Sequence, residues 1–519
     1  MAAWLAFTAQ AAAPVPPLAT ILKMHLAAMA SLQLHEPKSH EIVGTMAGIG
    51  LTGSFHEWQD GTSTRRDERL GSRTDSELRI GGRIWVMDSS GSVRELTGLD
   101  ARRQLTEDFI DSDSFARHPE DATLLGAGVL ADGRNVYRLQ VAAPGGETYT
   151  VAIDANTWFV DQLSYLEHDA PETITYSQYQ VVGGMLIAGT EIDSEGDAQY
   201  DITSHVTNVV YDEPIDPKTF VVAAATTVDN TKPVTVPLEL QGGLMFTTVT
   251  IAGKPYHFLI DSGSQGDVLD PQTASALGLH PEGTIEISGA TRTAGLGIVH
   301  TPDMYLGNVK LPVHEASVVN LGQFGGPYHI DGVLGFPFLA SAEVRIDPER
   351  AELTIGKPGS LPIDGDRIAV DTDRELPEIL GAIDRVQTRL LIDTGNTTEL
   401  LLFRSFIDDH KGIVNLGNAR AVPNFGVGGS TNAVAVTVDE LQIGPIGLYN
   451  RYANVILASS GAFADKNDGG NVGFGTLRNF VITFDVANRA MYLQRGSNFD
   501  DGRYRSRTEP DLQIHPPRT

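Results

Sequence analysis

The chain has 519 residues, of which 41% are apolar and 20% are charged, and its formal net charge is −28. This composition is typical of a globular protein, and the length allows about three domains of ordinary size. The excess of negative charge argues against nucleic acid or an anionic membrane surface as a partner. Because the sequence contains no cysteine, disulfide bonds, thiol catalysis and cysteine-ligated zinc are excluded.

The N-terminal residues 1–17, "MAAWLAFTAQAAAPVPP", combine a short apolar stretch with small residues around Ala9-Gln10-Ala11. This pattern is typical of the second half of a signal peptide, although the basic segment that normally precedes it is missing. We therefore expect a periplasmic or secreted bacterial protein; the alternative is an alanine-rich end without a targeting role. No later apolar stretch is long enough to cross a membrane, so no transmembrane span is expected.

Residues 18–225 are predicted to form a domain of one helix and an antiparallel sheet. The helix is expected over residues 18–34, where apolar residues recur at helical spacing. Short alternating segments bounded by Gly, Asp and Ser follow, such as "SELRIGGRIWVMD" and "NVYRLQVAAPGGETYTVAID". Such segments predict a meander of strands joined by tight turns.

The helix and the segments "GGRIWVMDSSGSVRELTG" and "YTVAIDANTWFVDQLSY" resemble the open half-barrel of periplasmic lipoprotein-carrier proteins. The resemblance implies a concave sheet that has a lipid or a lipoprotein as its partner. Two interpretations of Trp58, Trp85 and Trp158 stay open. These residues either pack within the sheet or line a concavity for lipid.

A linker, a repeated segment and a tail complete the chain. Residues 226–237 are rich in Thr and Pro and are predicted to be a linker. Residues 238–360 and 361–497 contain the same motifs in the same order and are predicted to be two β-rich lobes. The polar residues 498–519 are predicted to be a disordered tail.

The repeat is centred on two short motifs, "FLIDSGSQGDVLD" at 258–270 and "LLIDTGNTTELLL" at 390–402. In both motifs an apolar pair precedes an acid, Asp261 or Asp393, and a second apolar pair begins seven residues after the acid. Farther along, "DGVLGFPFLASAEVRIDPERAELTI" aligns with "GGNVGFGTLRNFVITFDVANRAMYL", so that Gly335 matches Gly473. Each copy of the unit therefore carries one acid at the end of a buried strand.

The two acids suit a shared catalytic task, because carboxylates at the end of buried strands need a partner. The glycine two positions after each acid lets backbone N–H groups approach the carboxylate closely. The Ser or Thr between acid and glycine has a hydroxyl that can tie one loop to the other. Two carboxyls in contact share one proton, since like charges so close cannot both ionise. One carboxyl then acts as base and the other as acid on a bound water.

The motifs D-S-G-S at 261–264 and D-T-G-N at 393–396 resemble those of retropepsin-like and pepsin-like aspartic proteases. The resemblance covers roughly residues 232–497 and implies two fused acid-protease β-barrel lobes with an active site between them. It further implies hydrolysis of a peptide or protein substrate without a metal or a cofactor. By the same resemblance the catalytic pair is Asp261 and Asp393. The residues that support the loops of the pair are then Ser262, Gly263, Thr394 and Gly395.

Two glycine-rich hairpins, 287–297 and 424–433, lie where this family has the flaps that cover a substrate. Three features of the sequence depart from the family pattern. Asn396 stands where Ala or Ser is usual, Asn471 replaces an apolar residue, and neither hairpin contains the tyrosine that is common in pepsin-like enzymes. The candidate flap residues are Gly289, Gly295, Gly426 and Gly428.

Two functions from different classes stay open. In the first, the C-terminal half is an aspartic endopeptidase that acts through Asp261 and Asp393. In the second, both acids are turn residues of an inert scaffold, and the protein is a non-catalytic periplasmic lipid- or lipoprotein-binding protein. The separation of the two carboxyls discriminates between them. In both cases the expected fold is mainly β, with an N-terminal helix and antiparallel half-barrel sheet followed by two tandem retropepsin-like acid-protease lobes.

Overall fold

A computed structural model describes residues 15–32, 37–167, 170–182, 184–288, 293–312, 314–322, 328–426, 429–457, 466–497, 499 and 504–506. The predicted fold class is confirmed, because the chain is mainly β with an N-terminal helix before a large antiparallel sheet. The chain divides into two compact units. Unit 1 comprises Met1–Met46, Phe55–Ser63 and Leu96–Asp216, and unit 2 comprises Ala47–Ser54, Thr64–Glu95 and Pro217–Thr519.

The first part of the chain contains three helices and fifteen strands among its described residues. These elements are α1 (Leu18–Leu32), β1 (Ser39–Gly48), β2 (Leu51–Asp60), β3 (Ser63–Leu70), β4 (Arg73–Ile80), β5 (Arg83–Met87), β6 (Val93–Glu95), α2 (Gly98–Asp111), α3 (Ser114–Arg117), β7 (Ala122–Val129), β8 (Asn135–Ala142), β9 (Thr148–Asp154), β10 (Val160–Glu167), β11 (Ala170–Ser177), β12 (Gln180–Val182), β13 (Met185–Ile187), β14 (Thr190–Ser194) and β15 (Ile202–Tyr211).

Unit 1 is a curved antiparallel sheet whose central strands are packed against its own helices. Its strands follow the order β1-β15-β14-β11-β10-β9-β8-β7. Alternating apolar residues of β8 and β9, such as Leu139 and Val151, lie on one face of the sheet, because every second side chain of a strand points to the same face. Ile21 of α1 and Phe115 of α3, both fully buried, fill the same core. The predicted helix over 18–34 is confirmed as α1, which ends at Leu32.

No helix among the described residues is long and apolar enough to cross a membrane. Residues 1–14 of the predicted signal remnant lie outside the described part of the chain. Export therefore stays a prediction.

The second part of the chain contains the repeat, with twenty-four strands and four helices among its described residues. These elements are β16 (Val234–Pro237), β17 (Glu239–Gln241), β18 (Leu244–Ile251), β19 (Lys254–Ile260), β20 (Val268–Leu269), α4 (Pro271–Ala276), β21 (Glu282–Ser288), β22 (Thr293–His300), β23 (Met304–Leu306), β24 (Val309–Leu311), β25 (Glu315–Val318), β26 (Gly332–Leu334), α5 (Phe336–Ser341), β27 (Glu343–Asp347), β28 (Glu352–Gly356), β29 (Asp366–Ala369), β30 (Glu378–Ile383), β31 (Val386–Asp393), β32 (Leu400–Leu402), α6 (Arg404–Asp409), β33 (Arg420–Gly426), β34 (Gly429–Ile443), β35 (Ile446–Ile456), β36 (Asp468–Gly473), α7 (Phe474–Leu477), β37 (Phe480–Asp485), β38 (Ala490–Arg495) and β39 (Tyr504–Ser506).

Each copy of the repeat builds its own sheet in unit 2. The sheet of lobe 1 has the order β21-β22-β25-β20-β26-β19-β18-β23-β24, and β17 pairs with β18. The sheet of lobe 2 has the order β33-β34-β30-β31-β36-β32-β35-β39, and an additional pairing of β34 with β35 closes six of its strands into a ring. The two copies place equivalent strands at equivalent positions, since β19 pairs in parallel with β26 and β31 pairs in parallel with β36.

A third sheet of unit 2 joins the two copies. Its order is β16-β28-β27-β37-β38-β29, and β27 of the first copy pairs with β37 of the second. Val344 and Phe484 are opposite each other at this junction, and both are buried in one hydrophobic core that contains residues of both lobes. The relative position of the two lobes is thus set by backbone hydrogen bonds and by apolar burial.

Two segments differ from the sequence-based expectation. The predicted linker ends in β16, which pairs with β28, and within the linker Val228 is only 1% exposed. The β-branched residues Val234 and Val236 favour this strand, although the Thr- and Pro-rich composition of the segment predicted a linker. In the predicted disordered tail, Tyr504–Ser506 forms β39 and pairs with the first residues of β35, Ile446–Leu448; residues 498, 500–503 and 507–519 lie outside the described part of the chain. On this side of β35 the strand β32 pairs farther along, at Asn454 and Val455, so β39 pairs with a part of β35 that β32 does not cover.

Candidate active site

Both acids of the repeat lie where a central strand of their lobe ends. Asp261 directly follows β19, and its N–H donates to the carbonyl of Leu334 over 3.0 Å. Asp393 is the last residue of β31 and is opposite Gly473 in the parallel pair with β36. Each acid thus lies at the end of one strand of a parallel pair. Both residues are partly buried, so each keeps a surface that solvent reaches.

The residues that follow the two acids bind each other. The N–H of Ser262 donates to Oγ1 of Thr394 over 2.9 Å, and the N–H of Thr394 donates to Oγ of Ser262 over 3.0 Å. The hydroxyl of Ser262 also donates to the carbonyl of Ile392 over 2.7 Å, and that of Thr394 donates to the carbonyl of Ile260 over 3.0 Å. These four bonds form a symmetric brace between the two loops.

The glycines of the two loops let the acids approach each other. A Cβ atom on Gly263 would lie 2.5 Å from Cγ of Asp393, and one on Gly395 would lie 2.3 Å from Cγ of Asp261. Real Cβ atoms do not come so close to another atom, so each loop needs glycine because it packs against the opposite carboxyl. The structure thus brings together the six residues that the sequence singled out for the dyad and its loops.

The two carboxyls lie close enough to change each other's pKa, and the loop glycine that follows each acid packs against the carboxyl of the other. Burial, followed by the charge of Asp393, raises the pKa of Asp261 well above its ordinary value. Burial also raises the pKa of Asp393, but hydrogen bonds from Asn471 and from backbone N–H groups act in the opposite direction. Such a pair holds one proton over a wide range of pH, which is the state that acid–base chemistry on a water molecule requires.

Backbone N–H groups also bind the two carboxylates. Gly263 donates to Oδ1 of Asp261 over 2.9 Å, and Gly395 donates to Oδ1 of Asp393 over 2.9 Å. The N–H of Asn396 adds a second donor to Oδ1 of Asp393 at 3.0 Å. These donors stabilise negative charge on the Oδ1 atoms of the two acids.

Sequence reasoning noted Asn471 only as a departure from the family pattern and did not single out Asp267. The amide of Asn471, which is fully buried, donates to Oδ2 of Asp393. Asp267 is 2% exposed and accepts a hydrogen bond from the N–H of Gly335 over 2.8 Å. Burial raises the pKa of Asp267 to about 7. A polar residue at an apolar position was the available signal for Asn471, whereas nothing in the sequence distinguishes Asp267 from a turn residue.

The candidate flap residues are only partly within the described chain. Gly295 lies in β22, which pairs with β21, and Gly426 lies in β33, which pairs with β34. Gly289 and Gly428 lie outside the described residues. The flap assignment therefore stays a prediction.

The tryptophans of the first part of the chain make ring contacts. Trp158 stacks on Tyr137 with ring centroids 5.6 Å apart and packs against the core of unit 1. Trp58 stacks on His56 at 3.6 Å, and the guanidinium of Arg83 lies over the ring of Trp85. These contacts fit the interpretation of the three tryptophans as packing residues.

Residues 247–338 match the family model described as aspartyl protease. The matched segment contains Asp261 with its loop and ends within α5; Asp393 lies outside it. No curated protein matches the chain at the required significance.

Solved structures of two kinds resemble parts of the chain. An aspartic proteinase from Irpex lacteus is 16% identical, covers 51% of this chain and 98% of its own, and has a TM-score of 0.34. A LolA superfamily protein from Nitrosomonas europaea is 13% identical, with coverage of 38% and 97% and a TM-score of 0.28. A putative outer membrane lipoprotein-sorting protein domain from Vibrio parahaemolyticus is 11% identical, with coverage of 39% and 97% and a TM-score of 0.28. Both resemblances that the sequence suggested recur among these matches, at a level of similarity that carries no conclusion about function.

Proposed function

We propose that the protein is an aspartic endopeptidase whose nucleophile is a water activated by Asp261 and Asp393. The observation that supports this proposal is the close approach of each loop glycine to the carboxyl of the opposite repeat, which the reciprocal bonds of Ser262 and Thr394 hold in place. A structural turn does not require two acids from separate repeats to lie together, because two neighbouring carboxylates repel each other and this lowers stability.

The reaction needs one shared proton and one water. The ionised carboxyl takes a proton from the water as its oxygen bonds to the peptide carbonyl carbon, and the protonated carboxyl donates to the carbonyl oxygen. The carboxyl that took the proton from water then gives it to the amide nitrogen, one diol hydroxyl gives its proton to the other carboxyl, and the C–N bond breaks. The products are a carboxylic acid and an amine, and the dyad again holds one proton.

An assay with the full-length protein tests the proposal. An unfolded protein substrate is incubated with the enzyme across acidic and neutral pH, and the fragments are identified by mass spectrometry. We expect cleavage that a statine-type mimic of the hydrated peptide bond inhibits and that EDTA leaves unchanged. Absence of cleavage by the folded wild-type protein at every pH would overturn the proposal.

A matched variant controls for general effects of removing a buried acid. Asp270 is 6% exposed, and its carboxylate accepts hydrogen bonds from the N–H groups of Gln272 and Leu321 over 2.9 and 3.0 Å. Because Asp270 is outside the dyad, Asp270→Asn is expected to keep the cleavage that the proposal assigns to Asp261 and Asp393. Equal loss of activity in Asp270→Asn and Asp261→Asn would point to a folding defect instead of chemistry.

A further inference from the structure

The two copies of the repeat differ at one position beside the acids. Val333 in β26 is opposite Leu259, and Asn471 in β36 is opposite Leu391, so the two residues occupy equivalent sites in the parallel pairs. Val333 has an apolar side chain without a donor, whereas Asn471 has an amide. Asn471 is 0% exposed, and a buried amide is costly unless it is hydrogen-bonded.

A chain of hydrogen bonds connects Asn471 to the backbone of its own lobe. The N–H of Thr398 donates to Oδ1 of Asn396 over 2.9 Å, and the hydroxyl of Thr398 donates to the same oxygen over 2.8 Å. Nδ2 of Asn396 donates to Oδ1 of Asn471 over 2.9 Å. Nδ2 of Asn471 then donates to Oδ2 of Asp393.

The direction of this chain is fixed by its first bond. A backbone N–H can only donate, so the group of Asn396 that faces Thr398 must be its carbonyl oxygen. The amide nitrogen of Asn396 therefore faces Asn471 and requires an acceptor there. Since Asn471 uses its oxygen for that bond, its nitrogen is directed at the carboxylate of Asp393.

Among the described residues of the first copy, the positions equivalent to Asn396 and Asn471 supply Asp261 with no such donor. Ser264, at the position equivalent to Asn396, donates its hydroxyl to the carbonyl of Gly266 over 2.7 Å. Asp393 thus accepts hydrogen bonds from the N–H groups of Gly395 and Asn396 and from the buried side chain of Asn471. At the equivalent position beside Asp261, Val333 has no group that can donate a hydrogen bond.

We infer that Asn471, oriented through Asn396, is a positioning residue that makes Asp393 the ionised member of the dyad and leaves the shared proton on Asp261. This inference rests on the proposed function and specifies it: Asp393 takes the proton from water, and Asp261 donates to the substrate carbonyl. The electrostatics agree, because the hydrogen bond from Asn471 is the largest influence that lowers the pKa of Asp393. Asp261, the titratable group in contact with Asp393, has its own pKa raised by burial and by the charge of Asp393.

The test replaces Asn471 with the residue that the first copy has at this site. In Asn471→Val, ionised Asp393 loses one hydrogen-bond donor, so the pKa for the first deprotonation of the doubly protonated dyad should rise. The acidic limb of the kcat/KM profile should move to higher pH by about one unit, the effect of one lost hydrogen bond to a charged group. The basic limb should change little, because Asp393 is ionised on both sides of that step. The packing control, Val333→Ala, should leave the acidic limb in place.

A second measurement does not depend on proteolysis. In full-length Asp261→Asn, labelled with ¹³C at the Asp carboxyls, the signal of Asp393 is assigned by its loss in the Asp261→Asn/Asp393→Asn protein. Adding Asn471→Val should raise the titration midpoint of this signal by about one unit. An unchanged midpoint would overturn the inference even if wild-type protein cleaves its substrate. Conversely, if the midpoint rises but the wild-type protein does not cleave its substrate, the influence of Asn471 on Asp393 is supported and the proposed function is rejected.

Asn396→Ser provides the same test if Asn471→Val does not fold. It removes the group that orients Asn471, so the titration midpoint should shift in the same direction by a smaller amount. If Asn471→Val does fold, adding Asn396→Ser to it should give no further shift, because the two residues act through one bond to Asp393. Independent, additive shifts would contradict the relay.

Discussion

Ser262 and Thr394 exchange hydrogen bonds across the two repeats, since the N–H of each donates to the hydroxyl of the other over 2.9 and 3.0 Å. Both side chains are buried, with exposed fractions of 1% and 0%. Each hydroxyl also satisfies a backbone carbonyl at the end of a strand in the opposite copy. The brace therefore positions the acids and satisfies four backbone groups that water cannot reach.

The first prediction concerns the stability that this brace contributes. Thr394→Val keeps the shape of the side chain but leaves the N–H of Ser262 and the carbonyl of Ile260 without a partner. We expect the free energy of unfolding to fall by about 3 kcal/mol, as two buried backbone groups lose their hydrogen bonds. Thr394→Ser, which keeps the hydroxyl, should stay within about 1 kcal/mol of wild type. Urea unfolding measures both, and equal losses in Val and Ser variants would contradict the role of the hydroxyl.

The pairing of the two loops was predictable from sequence because it depends on short motifs that occur twice. Asp261 and Asp393 each follow an apolar pair and precede a hydroxyl residue and a glycine. A repeat with these features implies equivalent strand ends, and equivalent strand ends can meet about a twofold axis. The reciprocal close approach of Gly263 and Gly395 to the opposite carboxyls follows the same logic.

The contact between Asn396 and Asn471 was not predictable in the same way. Both residues looked like departures from a family pattern, although together they form one bonded pair. They are 75 positions apart in sequence, and their contact depends on the register of β31 against β36. The strand β16 in the predicted linker was not predicted for a related reason. The composition of the segment does not show that it can pair with β28.

The second prediction concerns the glycine of the second loop. Gly395→Ala would place a Cβ atom 2.3 Å from Cγ of Asp261, so one of the two loops must move. A displacement of about 1 Å at reacting groups costs roughly 100-fold in rate, which is the expected loss of kcat/KM. Gly266→Ala is the matched control, because a Cβ atom there meets nothing within 4 Å. Similar activity in the two variants would show that the close approach is not required.

The third prediction concerns the dependence of stability on pH through Asp267. Burial raises the pKa of this carboxyl from 3.8 to about 7 in the folded protein. Its contribution to stability is therefore fully present below pH 3.8 and is lost as the pH rises through about 7. Asp267→Asn removes this titration, so the variant should gain stability relative to wild type as the pH rises, by at most roughly 4 kcal/mol. Urea unfolding at several pH values checks this; a difference that is constant across the range would contradict it.

The fourth prediction concerns the segment that composition marked as a linker. Val228 is 1% exposed and belongs to the main core of unit 2, and its N–H donates to the carbonyl of Ser341 over 3.0 Å. Val228→Ala should lower the free energy of unfolding by about 2 kcal/mol, because it removes buried apolar surface and leaves a cavity. Val221, 59% exposed, is the control, and Val221→Ala should have almost no effect. A loss below about 0.5 kcal/mol for Val228→Ala would favour a loosely attached linker.

The fifth prediction tests whether the two repeats build one site. If they do, Asp261→Asn and Asp393→Asn should each abolish cleavage, because one carboxyl must be ionised while the other is protonated. Each acid–base contribution is worth roughly 10²–10⁴ in rate, and both are lost when either partner is removed. The double variant should therefore be about as inactive as each single variant. The wild-type profile should be bell-shaped and displaced to acidic pH.

The rival arrangement places each acid in a separate site formed between two copies of the chain. In that case Asp261→Asn would leave the site of Asp393 active. Because the two sites would work independently, each single variant would keep about half of the turnover. Purified single variants, assayed on an unfolded protein substrate at several acidic pH values, separate the two arrangements. Each acid packs against the loop glycine of the opposite repeat. This close approach leads us to expect the one-site result. Substantial turnover in either single variant would reject it, because a lone carboxyl has no partner with which to share the proton.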